Sequence, residues 1–333
     1  MTRYPLLVSI VFAVLFGTSC SSGPHDPKER YVLVAANTKI PYWQEAQAGV
    51  KRAAAELKVR AEMSGPDGYN PRGERDQLRG EIQDKPSGIL ISAANPSLMA
   101  DDINSAIDQG IPVITIDSDV PNSKRLFFIG TDNYSAGVLG GQLLVKLLNG
   151  KGNVVIFTYP NQQNLIERQH GYMSTFENHP DIKVTQGVDI QGDPTIAHNT
   201  AKQLIDAKAK VDAFVCLEAV GCPEIADVVN SAGLGGKVTI VAMDTDERTL
   251  NWIEKGVISA TIAQKPFTMA YLGVKMLDQI HHHPPAALNG NFAQNSFSPL
   301  PTVMDTGAFI IDKGNVQSFI QQQKQQQQAQ EKH

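Results

Sequence analysis

The run Gly110-Ile111-Pro112-Val113-Ile114-Thr115-Ile116 constrains the fold more than any other stretch of the chain. It is apolar, rich in β-branched side chains and opened by a turn, so it reads as a strand buried on both faces of a parallel sheet. Its carboxyl end releases Asp117, Ser118 and Asp119 ahead of Pro121. In open α/β sheets ligands bind beyond the carboxyl ends of the strands, which makes these three residues candidate binding groups. The alternative is that the two acids merely shape a turn.

The same unit recurs along the chain. Strands are expected at 31–36, 59–63 and 88–92, with helices at 42–57, 71–83 and 96–109 between them. After Asp117 the rhythm restarts, with helices at 133–148, 165–178, 195–207 and 223–232 and strands at 153–157, 182–188, 213–217 and 238–243. A further strand at 258–263 and helix at 267–280 lead to a Pro- and Asn-rich loop, a last strand at 303–311 and a glutamine-rich tail at 317–333, read as frayed or disordered. Such alternation with short connections predicts right-handed βαβ units and parallel sheets. Two similar sets in 333 residues predict two Rossmann-like, doubly wound α/β domains, each large enough for its own core.

Several strands hand polar or aromatic residues to the loop that follows. Tyr42 and Trp43 come after the first strand, Asn164 and Arg168 after 153–157, and Glu218, Asp244 and Gln264 after the later strands. With Asp117 and Ser118 they form one set of acids, amides, a guanidinium and flat rings. Carboxylates and amides bond hydroxyls with fixed orientation, and rings cover the apolar faces of a sugar. Each has a plainer role available: packing for Tyr42 and Trp43, a surface ion pair for Arg168 with Glu167, and helix capping for Asp244, a role equally open to Asp246.

Other function classes lack their signatures. A net charge of -5 without a basic block argues against nucleic acid. Asp117 with Asp244 would be a conceivable glycosidase pair, but there is no G-x-S-x-G, H-E-x-x-H, Walker A loop or G-x-G-x-x-G after the first strand. No enzyme and no cofactor are expected. The His281-His282-His283 run reads as positive charge suited to a helix end, and no metal site is expected.

Residues 1–20 carry Arg3, an apolar core from Leu6 to Phe16 and then Gly17-Thr18-Ser19-Cys20, the layout of a secretory signal and too short to span a bilayer. The small residues before Cys20 resemble a bacterial lipobox, although Gly17 stands where Leu is usual. The likeness implies lipidation of Cys20, a membrane anchor, and a tether over 21–29. Export also permits a disulfide between Cys216 and Cys222, which spacing alone leaves open.

The motifs together resemble the ribose-binding family of type I periplasmic solute-binding proteins, the receptors of ABC sugar importers. They are the 110–117 run, Gly130-Thr131-Asp132-Asn133 with Gly137, Glu167-Arg168 with Gly171-Tyr172, Ala242-Met243-Asp244, and Ala260-Thr261-Ile262-Ala263-Gln264. The resemblance implies two lobes joined by three crossovers near Thr131, Gln264–Lys265 and Thr302–Thr306, with the ligand between them. The first lobe would comprise 30–130 and 265–302, the second 131–264 and 303–316. Tyr42, Trp43, Asp117, Arg168, Asp244 and Gln264 would hold the ligand, joined in this chain by Ser118, Asn164 and Glu218. Ser118 replaces a family Arg, Glu218 replaces an Asn, Ile40 replaces the Asn before Pro41, and an aromatic near Gly192-Asp193 is missing, which implies a monosaccharide or polyol other than ribose. The expected protein is a monomer in the periplasm or on the cell surface, anchored by lipid and serving a membrane permease. The alternative partner is a membrane histidine kinase or chemoreceptor.

Overall fold

The computed structural model describes residues 25–26, 28–285, 290–295 and 297–331; the signal sequence, Cys20 and most of the tether fall outside the described residues. Among the described residues, no helix is long and apolar enough to cross a membrane.

The first lobe begins β1 (Arg30–Val34), α1 (Pro41–Leu57), β2 (Arg60–Ser64), α2 (Pro71–Gln83), β3 (Gly88–Ile91), α3 (Pro96–Asp108), β4 (Val113–Ile116) and β5 (Phe128–Gly130). The second continues α4 (Asn133–Leu147), β6 (Gly152–Thr158), α5 (Gln163–Phe176), β7 (Ile182–Asp189), α6 (Pro194–Asp206), β8 (Ala213–Cys216), α7 (Gly221–Ser231), β9 (Thr239–Met243), α8 (Glu247–Glu254) and β10 (Ala260–Ala263). The chain ends α9 (Pro266–His282), β11 (Val303–Asp305), β12 (Phe309–Asp312) and α10 (Val316–Glu331). The sheets run β11-β5-β4-β3-β1-β2 and β12-β10-β9-β8-β6-β7, parallel throughout except that β12 pairs antiparallel with β10. The two orders are the same sequence of places, so β4 in one lobe corresponds to β9 in the other.

Helix starts follow from local chemistry. Asn70, Asn95 and Asp193 each precede a proline at the first helical turn and accept a bond from the backbone N–H of Gly73, Ser97 and Thr195. Asp132 and Asp246 cap α4 and α8 in the same way. Asp246 thus fills the capping role, leaving Asp244 free of it. Strands β3, β4 and β8 are buried along their whole length, as runs sheltered on both faces must be. Helix α9 packs on the first sheet, where Leu277 lies against Gly88 and Leu90 against Gly273.

Two parts of the chain differ from the sequence expectation. The single strand expected at 303–311 is two strands in different sheets: β11 pairs with β5 and β12 with β10, so 303–305 belongs to the first lobe's sheet. Between them Gly307 adopts a left-handed φ of 78°, and Thr306 donates its N–H to the Gly130 carbonyl at 2.7 Å. This bonding turns the chain from one sheet to the other and binds the third crossover to the first. The glutamine-rich tail forms α10, whose first turns are not frayed: Val316 is buried, and Phe319 and Ile320 pack against the second lobe's core. Three apolar side chains near its start suffice to dock a helix that is otherwise polar.

Candidate functional site

Asp117 and Asp244 occupy equivalent places. Asp117 follows the last paired residue of β4, Ile116, and Asp244 follows the last residue of β9, Met243. Both adopt left-handed backbone, at φ 62° and φ 68°, and each donates its N–H to the neighbouring strand, to Ile129 O at 3.1 Å and Ile262 O at 2.9 Å. Such a conformation costs a non-glycine residue roughly 1–2 kcal/mol, less for Asp than for most. It turns the two carboxylates out of their sheets into the space between the lobes.

Asp117 Oδ1 accepts from the Tyr42 hydroxyl at 2.7 Å, and Oδ2 accepts from Ser92 Oγ at 3.0 Å and from Asn164 Nδ2 at 3.3 Å. Asn164 belongs to the second lobe, so this last bond crosses the cleft. Asp244 Oδ1 accepts from Gln264 Nε2 at 2.9 Å. The Arg168 guanidinium donates to Asn133 Oδ1, the Leu217 carbonyl and Gln264 Oε1 at 2.9, 2.7 and 2.8 Å. One side chain on α5 thereby ties together the start of α4, the loop after β8 and the crossover after β10. Gly137 makes this placement feasible, since a Cβ there would sit 2.1 Å from the Arg168 carbonyl oxygen. Arg168 is buried, not part of a surface ion pair.

Burial governs the charges. It raises Asp117, against the pull of Arg168, and lifts Asp244 to about 6. It lifts Glu218 to about 7, opposed by the Val220 and Gly221 amides. Glu45 rises to about 7 and Glu74 to about 8 for the same reason, with Asp244 and Asp117 respectively adding like-charge repulsion. The cleft is a crowd of acids around one guanidinium.

The structure gathers Tyr42, Asp117, Asn164, Arg168, Asp244 and Gln264 at the cleft in two hydrogen-bonded groups: Tyr42 and Asn164 donate to Asp117, while Gln264 accepts from Arg168 and donates to Asp244. The other candidates stand differently. Trp43 lies in the first lobe's core, edge-on to Tyr42 with ring centroids 5.1 Å apart. Ser118 is buried and its hydroxyl has no partner among the described residues. Both Glu218 oxygens accept from backbone amides at the start of α7. Asp119 is turned away, held by Arg125, Thr115 and the Val120 amide.

Residues that sequence reasoning passed over also enter. Tyr69, on the loop before α2, meets Tyr159, after β6, with ring centroids 4.9 Å apart, and covers Gly192, where a Cβ would lie 2.4 Å from its own. Tyr69 thus places an aromatic ring from the opposite lobe beside Gly192. Ser92 and Asn133 follow the strand-end rule and were findable by it; nothing in the local sequence marks Tyr69. A cavity of about 200 Å³ lies beside Asp244, bordered by Tyr42, Glu45, Pro194, Val220 and Pro266. It suits a small molecule rather than a polymer.

Cys216 and Cys222 form a disulfide with Cα atoms 5.8 Å apart, stapling the loop that carries Leu217 and Glu218. This closes the question that spacing left open.

A chain of two such lobes matches known proteins. Residues 31–282 match the periplasmic binding protein domain family. The chain belongs to that family. A sugar-binding protein of a sugar ABC transporter from Bacillus halodurans superposes with a TM-score of 0.76 at 33% identity, covering 86% of this chain and 99% of that one. The arabinose-binding protein AraP of Geobacillus stearothermophilus is 33% identical, with a TM-score of 0.72 and coverage of 88% and 99%. The D-allose-binding periplasmic protein of Escherichia coli K12 is 23% identical over 257 residues, 74% of this chain and 83% of its own length. Within this periplasmic binding protein, the candidate site lies where the fold's strand ends converge.

Proposed function

We propose that this chain is the extracytoplasmic substrate-binding component of an ABC importer and holds a small neutral sugar or polyol between its lobes. The observation that carries this reading is the pair of carboxylates, Asp117 and Asp244, at equivalent strand ends, the first bonded across the cleft by Asn164 and the second tied through Gln264 to Arg168. Carboxylates and amides in this setting accept and donate to hydroxyls, and contacts from both lobes favour the closed arrangement over the open one. The surplus of acids over guanidinium selects against uronates and sugar phosphates. The Ser92 and Tyr42 hydroxyls serve to hold the Asp117 carboxylate, and the sugar is bound and released unchanged. Ser118 and Glu218 stand where ribose binders carry Arg and Asn, and a monosaccharide other than ribose is the ligand this reading expects. The chain acts as a lipid-anchored monomer through Cys20, outside the cytoplasmic membrane, and its closed form docks on a permease.

A thermal-shift screen over neutral monosaccharides and polyols tests this. At a hundredfold excess over Kd, one or more should raise Tm by roughly 5–10 °C, with the sugar recovered intact. Asp117→Asn with Asp244→Asn should abolish the shift. Silence across the neutral panel, or a response confined to acidic sugars, would overturn the reading.

A further inference from the structure

At the end of the first lobe away from the cleft, four side chains from two stretches far apart in sequence converge. His25 and Glu29 precede β1, while Asp278 and His282 stand one turn apart near the end of α9. His25 Nε2 lies 3.0 Å from Asp278 Oδ1, and His282 Nε2 lies 3.2 Å from Glu29 Oε2 and 3.7 Å from Asp278 Oδ1. All four donor atoms fall within 4.8 Å of one another. In a tetrahedral site with bonds of about 2.0 Å, donors stand roughly 3.3 Å apart, so only small adjustments separate this arrangement from a coordination sphere.

The chemistry of the surroundings favours a cation. Glu29 and Asp278 are buried side by side, yet neither pairs with a lysine or arginine among the described residues. Their partners are the two imidazoles, the Asp26 amide and the Tyr31 hydroxyl, which donates to Asp278 Oδ1 at 3.2 Å. Such an outer hydrogen bond is what orients a ligating carboxylate. The acids lie inside and the imidazoles are partly exposed, which leaves an entry path.

We propose that His25, Glu29, Asp278 and His282 bind one divalent transition-metal ion, with zinc(II) the best fit to two nitrogens and two oxygens. The hard ions magnesium and calcium prefer all-oxygen shells and are excluded by the two imidazoles. The ion pins the segment leading into β1 to the last turn of α9.

The test is zinc(II) titration of the full chain after chelator treatment. One equivalent should bind, undisturbed by millimolar-scale magnesium or calcium, and His25→Ala or His282→Ala should each weaken binding at least about tenfold. His281→Ala with His283→Ala should leave it unchanged. Zinc-edge absorption on the unaltered chain, which needs no variant to fold, should report two imidazoles and no sulfur. Binding that survives His25→Ala but is lost with His281 and His283 would assign the ion to the histidine run and overturn the site. So would the absence of zinc binding, equal affinity for calcium, or a different imidazole count.

Discussion

Asp117 and Asp244 are the residues at which the fold spends stability to create a site. Each holds a left-handed backbone and a carboxylate that burial disfavours in its charged form. For Asp244 the sign is definite. Its carboxyl titrates near 6 in the folded chain against an ordinary value of 3.8, so between those values the folded state holds a proton that the unfolded state has released. Stability of the ligand-free chain therefore falls as pH rises through that window, and the penalty is complete above about pH 6. Asp244→Asn keeps a residue that tolerates left-handed backbone and can still accept from Gln264. At about pH 7.5 it should stabilise the ligand-free chain by about 1–3 kcal/mol and lessen the acid-side slope, while abolishing sugar-dependent stabilisation. Denaturant unfolding across this pH range reads both effects, and a variant less stable than its parent at neutral pH would contradict them. These aspartates were legible in the sequence because an acid after a doubly buried strand has one place to go. Trp43 was not: the first turn of a helix has a core side and a cleft side, and an isolated aromatic there fits either.

At the scale of elements, the loop from β8 to α7 shows how one connection holds a distant side chain. Leu217 presents its carbonyl to Arg168, Glu218 spends its oxygens on the amides that open α7, and the Cys216–Cys222 bond closes the loop around both. A loop this short still loses entropy on closure, so the bond is worth about 2 kcal/mol through the unfolded state. Cys216→Ala with Cys222→Ala should lower unfolding free energy by about that amount and weaken sugar affinity roughly three- to tenfold as the Arg168 acceptor loosens. Denaturant titration with and without reductant checks the first part and calorimetry the second. Unchanged stability under reductant, with two titratable thiols in the untreated chain, would show that no bond constrains the loop. Arg168 itself was legible from its place after a strand. That it would donate to a backbone carbonyl, an amide on α4 and an amide at a crossover was not, because those partners lie 35 to 96 residues away and are set by packing.

At the scale of the molecule, alternation of strands and helices made the twin lobes legible, whereas the third crossover was not. Residues 303–311 read in sequence as one strand, and the pairings of β11 with β5 and β12 with β10, with the bonds from Thr306 to Gly130 and from the Asp132 amide to Asp305, reveal that the chain changes sheets there. Those bonds also bind two of the three crossovers together, so motion between the lobes is confined to a few backbone torsions, the setting for hinge closure. Among the described residues, the lobes meet on the cleft side at the Asn164 to Asp117 bond and at the contact of Tyr69 with Tyr159 and Gly192. Tyr69 touches the second lobe through its ring, while its hydroxyl bonds Ala94 within its own lobe. Removing the ring thus takes away contact energy between the lobes without touching Asp117 or Asp244. An aromatic pair of this kind contributes about 0.5–1.5 kcal/mol beyond buried area, enough to shift an open–closed equilibrium several-fold. Tyr69→Ala should weaken sugar affinity about three- to tenfold and enlarge the radius of gyration of the ligand-free chain, with saturating sugar restoring the parent radius. X-ray scattering with and without sugar measures this directly; a ligand-free radius identical to the parent's would mean that the two tyrosines do not help to hold the lobes together.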